Sequence, residues 1–199
     1  MINFFLRRKF IRHLLRSQRG IAAMEFALTL PIWVIFLLGL CDGTFYMLKS
    51  EKTDRIAYSV TDIVTQYQAI SLSNLNDIVL AASQLMLPFQ FSSNGVIIIT
   101  SIYQPPGGSP TICWQYSGGG TLLKTSQFGT ANGSPVCANG SPATLPSGLT
   151  LNDNDNVIIS EVYYSFSPLF MNDTIFPPTN IYRLAVYKPR LSLLIQPPT

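Results

Sequence analysis

The sequence predicts an α+β protein in which a long N-terminal helix precedes a small antiparallel β-sheet. Two patterns lead to this prediction. Residues 21–40 are almost continuously apolar and contain one charged side chain, Glu25. Residues 95–199 contain short segments rich in β-branched side chains, separated by glycine and proline turns, which is typical of antiparallel strands. A chain of 199 residues has room for one membrane helix and one folded domain.

The first twenty residues form a basic leader. They hold six of the thirteen lysines and arginines and no acid, so the rest of the chain carries seven bases against ten acids. The six are Arg7, Arg8, Lys9, Arg12, Arg16 and Arg19. Because positive flanks stay in the cytoplasm, the N-terminus is expected inside the cell and the chain after Cys41 outside the membrane. The exported part has no basic cluster, so a nucleic-acid partner is not expected.

The apolar run has the length of a membrane span. Twenty helical residues cover about 30 Å, which is the thickness of the hydrocarbon layer. A carboxylate within such a span costs about 2.5–3.5 kcal/mol on insertion scales, so Glu25 is expected to have a partner. If the chain is cut after Gly20, the new amine of Ile21 lies one helical turn from Glu25. In a helical assembly, the amine of a neighbouring subunit can reach the same carboxylate.

These features together resemble the type IV prepilin signal, and in detail the opening of the TadE-like minor pilins, or pseudopilins, of Tad (tight adherence) pilus systems. The motif residues are Arg19, Gly20, Ala22, Ala23, Glu25, Phe26, Ala27, Leu28 and Pro31. Shorter stretches in the same order also resemble TadE/TadG-type relatives: residues 61–66, Trp114, residues 157–164 and residues 187–190. The chain lacks the long insertion and extra length of TadG-like proteins, and its glutamate favours the TadE-like assignment.

The resemblance implies a pilin-like fold and a role in assembling a pilus used for adherence. It implies a bacterial inner-membrane precursor that a prepilin peptidase cuts between Gly20 and Ile21, with a periplasmic C-terminal domain. Glu25, Phe26 and Pro31 are then the expected assembly residues. The implied partners are the peptidase, other major and minor pilins, the Tad inner-membrane assembly platform and the lipid bilayer. The mature subunit is expected to enter a surface pilus.

Other export signals and another function stay open at this point. An ordinary secretory signal or a lipoprotein signal near Cys41 fits less well, because the run ends in Leu40 with no small-x-small site. An uncleaved signal anchor explains the apolar run but does not explain why a charged residue, Glu25, lies within it. The alternative function is therefore a membrane-anchored binding or adhesion module that never enters a fibre.

The helical pattern continues beyond the membrane. Four segments are predicted: the leader at 1–20, a transmembrane and assembly helix at 21–41, an amphipathic helical region at 42–87 and an exported β-rich domain at 95–199. The first helix is expected to reach about Ile70, with a possible kink at Pro31. Its buried face is predicted as Ile56, Val60, Ile63, Tyr67 and Ile70, with Asp54, Thr61, Thr65, Gln66 and Gln68 elsewhere. A second helix, ending by Pro88, is predicted to bury Leu75, Ile78, Val79, Ala82, Leu85 and Met86.

The exported domain is predicted to contain four strands and one long surface loop. The strands are residues 96–103, 111–116, 157–166 and 183–187. The loop is residues 129–148, which are rich in glycine, serine, asparagine and proline. The aromatic residues of the last two strands and their connection are expected in the core and on the sheet, with a minority available for subunit contacts.

Cysteines and titratable residues indicate a structural rather than a catalytic protein. Cys113 and Cys137 lie in the exported part, where an oxidising compartment permits a disulfide, although two free thiols are the alternative. Cys41 is expected to be a small buried apolar residue. The one histidine, His13, lies in the leader, and residues 152–156 do not continue into a calcium loop. No enzyme activity, cofactor or metal is expected; Asp153, Asp155 and Glu161 are the carboxylates that remain available for pairing.

Overall fold

A computed structural model describes residues 18–170 and 177–199 of the chain. The chain divides into two compact units. One unit is Met1–Thr44 with Leu169–Met171, and the other is Phe45–Pro168 with Asn172–Thr199. The predicted leader lies largely outside the described residues. A long apolar N-terminal helix followed by an antiparallel sheet confirms the predicted α+β layout.

Helix α1 runs from Gln18 to Val64 and continues through Pro31. The prediction of a helix reaching Ile70 was too long. After Val64 the backbone tightens, since the amides of Gln66 and Tyr67 bond to carbonyls only three residues earlier. The freed carbonyl of Thr65 accepts a hydrogen bond from the amide of Arg190, at 3.0 Å, so the C-terminal segment supplies a partner where the helix stops.

The buried stripe of α1 differs from the predicted one. Ile56 and Val60 are fully buried as predicted, but Ile63 is 39% exposed and Thr61 is fully buried instead. The Thr61 hydroxyl donates to the carbonyl of Ala57 at 2.7 Å, so burial leaves no polar group unsatisfied. The prediction placed Thr61 on the exposed side because threonine is polar. This choice shifted the predicted buried face around the helix axis. Thr65, also predicted to lie off this face, is buried too.

The second predicted helix is present as α2, which spans Leu72–Ser83. The Ser71 hydroxyl accepts a hydrogen bond from the amide of Asn74 and caps its N-terminus. The predicted buried residues are buried except Leu85, which is 37% exposed. The helix tightens to a 3-10 turn over Gln84–Met86, and this change of winding turns Leu85 outward. A short helix α3, Phe91–Asn94, leads into the sheet.

Five antiparallel strands form one sheet in the order β3-β2-β1-β4-β5. The four predicted strands are all present, and each is somewhat longer than predicted. Their bounds are β1 Gly95–Tyr103, β2 Thr111–Gly118, β3 Ser141–Pro142, β4 Asn156–Phe166 and β5 Thr179–Tyr187. Central strand β1 pairs along its whole length with residues 156–164 of β4, with Ile99 opposite Ser160. Nearly all residues of both strands are buried, because both faces of the sheet are covered.

One face of the sheet carries the helices. Ile97, Ile99 and Val162 pack with the buried stripes of α1 and α2 in one core cluster. The other face is covered by the chain between β2 and β4 rather than by a helix. Ile102 and Ile159 pack there against Phe128, with Leu145 and Leu151 at the edge. The predicted surface loop therefore supplies part of a second core.

The short strand β3 lies inside the predicted loop at 129–148 and was not predicted. It pairs with the start of β2, where Ile112 lies opposite Ser141. A Cβ atom on the preceding residue, Gly140, would lie 2.1 Å from the carbonyl oxygen of Ile112. Only glycine permits this approach, so β3 depends on backbone proximity and not on β-branched residues. Cys137, just before Gly140, is disulfide-bonded to Cys113 of β2, and their Cα atoms are 4.3 Å apart.

The C-terminal segment, residues 188–199, crosses the helix-bearing side of the domain and is held by buried polar groups. The Leu194 carbonyl accepts hydrogen bonds from the Trp114 indole at 2.8 Å and the Ser101 hydroxyl at 2.7 Å. The Leu194 amide donates to Asn156, whose side-chain amide in turn donates to Ser101 and to the carbonyl of Ile102. Because each of these polar groups is paired, the network carries little desolvation penalty.

A buried carboxylate holds the covering loop on the other face. Glu161, in the middle of β4, is fully buried. Its Oε1 accepts hydrogen bonds from the amide of Gln127 and from the hydroxyls of Tyr163 and Tyr182, at 3.0–3.2 Å, while Oε2 has no partner within the described chain. Burial, followed by the charge of Glu161, raises the pKa of both tyrosines above the ordinary value.

These raised tyrosine pKa values predict a loss of stability at alkaline pH. Below about pH 10 both hydroxyls are protonated in the folded and unfolded states. Above it the unfolded chain releases protons that the folded chain retains, so the free energy of unfolding falls by up to about 1.4 kcal/mol per pH unit for each tyrosine. Tyr163→Phe should flatten this fall between about pH 10 and 11. Urea unfolding of the full chain in detergent measures it.

The control for the alkaline prediction is Val96→Ala, which removes buried apolar volume from the same face without removing a titrating group. It should lower stability equally at neutral and alkaline pH. An unchanged pH slope in Tyr163→Phe would show that Tyr163 does not contribute to the alkaline loss.

The disulfide should make a large contribution to domain stability. Cys113 and Cys137 are 24 residues apart, and closing a loop of that length contributes about 3–4 kcal/mol in the chain-entropy estimate. Replacing both with serine should lower the free energy of unfolding by about that amount. Non-reducing peptide mapping of protein from the cell envelope should recover one cross-linked peptide pair. Alkylation of both thiols without prior reduction would contradict the bridge.

Candidate assembly site on the N-terminal helix

All five residues predicted for processing and assembly lie on α1. Gly20 is in its first turn, and Ile21 precedes Glu25 by four residues, or one helical turn. Glycine weakens a helix, so Gly20 makes this part of α1 easier to unwind. Phe26 and Pro31 follow within the next two turns.

The apolar part of α1 is uncovered on every side. Consecutive large side chains are exposed: Ile32 is 66%, Trp33 65% and Phe36 63% accessible. The most apolar window of this helix has a mean hydropathy of 2.2, and none of it is buried. By length and composition it is the one helix in the described part of the chain that fits a membrane span. An all-round apolar helix needs lipid or other helices to cover it.

Glu25 is the one charge on this uncovered surface. Its backbone carbonyl accepts a hydrogen bond from the Thr29 hydroxyl at 3.1 Å, so the threonine is satisfied within the helix. No donor or cation lies on the Glu25 carboxylate among the side chains of residues 20–170 and 177–199. A carboxylate in apolar surroundings needs such a partner, so it has to come from outside this set.

Asp42, which the sequence did not single out, behaves differently. It lies on the same helix, two residues after Leu40, and is 2% exposed. Its Oδ1 accepts hydrogen bonds from the amides of Leu169 and Phe170, at 2.8 and 3.2 Å, and its Oδ2 accepts a second one from Phe170. Two consecutive amides thus satisfy one carboxylate. The neighbouring Cys41, predicted to be buried, is half-buried and unbonded.

The three carboxylates considered for pairing do not form a site. Asp155 forms an ion pair with Lys188 at 2.8 Å. The hydrogen bond from that ammonium, followed by one from the Asn152 amide, lowers the pKa of Asp155. Glu161 lies six residues farther along β4, about 20 Å away on an extended strand. Within the described residues no group of histidine, cysteine, aspartate and glutamate side chains is arranged to hold a metal ion.

Three of the short stretches singled out in the sequence, residues 61–66, Trp114 and residues 187–190, are connected through the C-terminal segment. Arg190 forms an ion pair with Asp62, and its amide bonds to Thr65, so residues 187–190 contact residues 61–66. Trp114 bonds to the same C-terminal segment through Leu194. Residues 157–164 form the central part of β4. These stretches therefore act in joining the end of α1, the sheet and the C-terminus.

The chain matches no protein-family model, no curated protein and no solved structure.

Proposed function

We propose that this protein is a minor pilin, or pseudopilin, of a Tad-type pilus used for adherence. The observation that carries the proposal is Glu25, a lone carboxylate without a partner in the described chain, on a helix that is apolar on all sides. A basic leader and Gly20 precede it at the spacing of a prepilin signal. The long helix followed by an antiparallel sheet supports a pilin-like fold.

The proposed mechanism is charge compensation during assembly. A prepilin peptidase cuts after Gly20 and creates an amine on Ile21. Before assembly the subunits reside in the inner membrane, where lipid covers residues 21–40. In the fibre the same residues pack against helices of neighbouring subunits. A neighbour's N-terminal amine meets the Glu25 carboxylate as lipid is replaced by helices. Two unit charges 4 Å apart attract by about 4 kcal/mol at an effective dielectric constant of 20, so the pairing favours one register of packing.

Each remaining motif residue has a role in this mechanism. Phe26 is 64% exposed and supplies contact area next to Glu25. Pro31 lacks an amide donor, which leaves one carbonyl of the preceding turn without its intrahelical partner and makes this point of the helix easier to bend during packing. The assembly platform and other pilins are the proposed partners, and the exported domain is presented on the periplasmic side or on the fibre.

Gly20→Val tests the processing step. A side chain at this position obstructs close approach of the scissile backbone and removes the conformational freedom of glycine. The variant should accumulate as full-length precursor in the inner membrane, seen as a slower band on immunoblots of membrane fractions. Gly43→Val is the matched control, because a Cβ atom there has no neighbour within 4 Å. It should mature normally. Normal maturation of Gly20→Val would indicate another protease or another cutting site.

Glu25→Leu tests the assembly step. In a plain anchor this change only removes a desolvation cost of about 2.5–3.5 kcal/mol, so insertion and function improve or stay the same. In a pilin it removes the partner of the incoming amine. We expect a protein that is stable, processed and membrane-resident but does not restore piliation to a strain lacking the gene.

Two further substitutions at this position separate charge from shape. Glu25→Gln keeps the shape and should also fail, whereas Glu25→Asp keeps the charge and should be partly active. Asp77→Asn, which removes an exposed acid from α2, is the control and should restore piliation fully. Full piliation by Glu25→Leu would instead support a static membrane-anchored binding or adhesion module.

A further inference from the structure

A pair of exposed apolar residues lies beside the end of the apolar helix segment. Leu169 and Phe170 follow β4 and are 70% and 48% exposed. Their backbone amides donate to the carboxylate of Asp42, which is two residues beyond Leu40. The two residues belong to the same compact unit as the N-terminal part of α1. Their position along the helix is thus set by hydrogen bonds and not by burial of their own side chains.

We propose that Leu169 and Phe170 form a second membrane contact, held by Asp42 at the level where α1 leaves the bilayer. The inference rests on the membrane placement of residues 21–40 in the proposed function. The occupant of this surface is lipid at the boundary between headgroups and acyl chains. Leucine and phenylalanine are residues that enter this boundary from amphipathic segments of interfacial proteins.

The hydrogen bonds between Asp42 and the amides of Leu169 and Phe170 are compatible with a position at the boundary between headgroups and acyl chains. A buried carboxylate near hydrocarbon is tolerated only when hydrogen bonds satisfy it, and Asp42 has two amide partners. The same bonds satisfy the amides of Leu169 and Phe170, which would otherwise need water. With these two amides paired, Leu169 and Phe170 can present apolar side chains to lipid without exposing unpaired N–H groups.

The contact has a consequence for the exported domain. Leu169 and Phe170 lie between β4 and β5 in the sequence. Leu169 and Phe170 thus give the chain a second membrane contact besides residues 21–40, at a distant point in the sequence. Entry into a fibre then requires both residues 21–40 and this pair to leave lipid, so the pair adds to the free energy that extraction from the membrane must supply.

The experiment places an environment-sensitive NBD fluorophore on single cysteines of the full chain. The background is Cys41→Ala, and the protein is reconstituted in phosphatidylethanolamine–phosphatidylglycerol vesicles. Labels are attached to Phe170→Cys, to Ile32→Cys within the span and to Leu123→Cys, which is 93% exposed at a site without a proposed membrane contact. Quenching is measured with lipids carrying a nitroxide either near the headgroup or deep in the acyl chain.

We expect the label at position 170 to emit at shorter wavelength than the label at 123 and to be quenched by the shallow nitroxide. The label at 32 should be quenched by the deep nitroxide. Adding Asp42→Ala should reduce quenching at 170 and leave quenching at 32 unchanged, whereas Asp77→Ala should change neither.

Each other outcome overturns a defined part of the account. If position 170 behaves like 123 while 32 is quenched, the second membrane contact is wrong and the membrane span stands. If position 32 is also unquenched, the membrane placement in the proposed function is wrong. Quenching at 170 that survives Asp42→Ala would remove the role of Asp42. If position 170 is unquenched and cross-links to a second copy, the surface is a subunit contact instead of a lipid contact.

Discussion

The uncovered carboxylate of Glu25 is the constraint on which the proposed account depends. Folding buries other apolar residues of the chain against a sheet, yet residues 21–40 remain accessible on all sides. Burying that surface is worth far more than a single charge costs, so lipid or a helical assembly is a favourable environment for the segment despite Glu25. The charge then penalises any arrangement that leaves it without a cation. Such a penalty determines which arrangement of helices is favoured, and it adds little to the stability of the assembly.

Two carboxylates are buried among the described residues, and each accepts hydrogen bonds from within the chain. Asp42 accepts hydrogen bonds from consecutive amides, and Glu161 accepts three donors on one oxygen. The amides that bond to Asp42 come from distant parts of the sequence. Gln127 and Tyr182 are likewise far from Glu161 in sequence, whereas Tyr163 lies two residues from it. Glu25 has no such partners among the described residues. Asp42 and Glu161 therefore bond within this fold, whereas the Glu25 carboxylate is available for a partner on another chain.

Much of the architecture follows from local sequence, and the exceptions share a physical cause. The predicted strands are present because runs of β-branched residues between turns suit only a pleated sheet covered on both faces. Ile63 and Thr61 were misplaced because a threonine hydroxyl bonded to its own helix can be buried. Strand β3, the partners of Asp42 and the Gln127 partner of Glu161 escaped prediction because they depend on backbone groups that are far apart in sequence. The roles of the residues on the apolar helix stay predictions, and they rest on local spacing in the sequence alone.

The measurement that tests the central claim most directly is zero-length cross-linking of Glu25. A carbodiimide joins a carboxylate to an amine only when the two are in contact. Treated membranes or pili should yield a peptide in which the Glu25 side chain is joined through an amide bond to the N-terminal amine of a processed subunit. Mass spectrometry identifies both residues at once. A chain that keeps its first twenty residues, with Glu25 unmodified after treatment, would contradict the account.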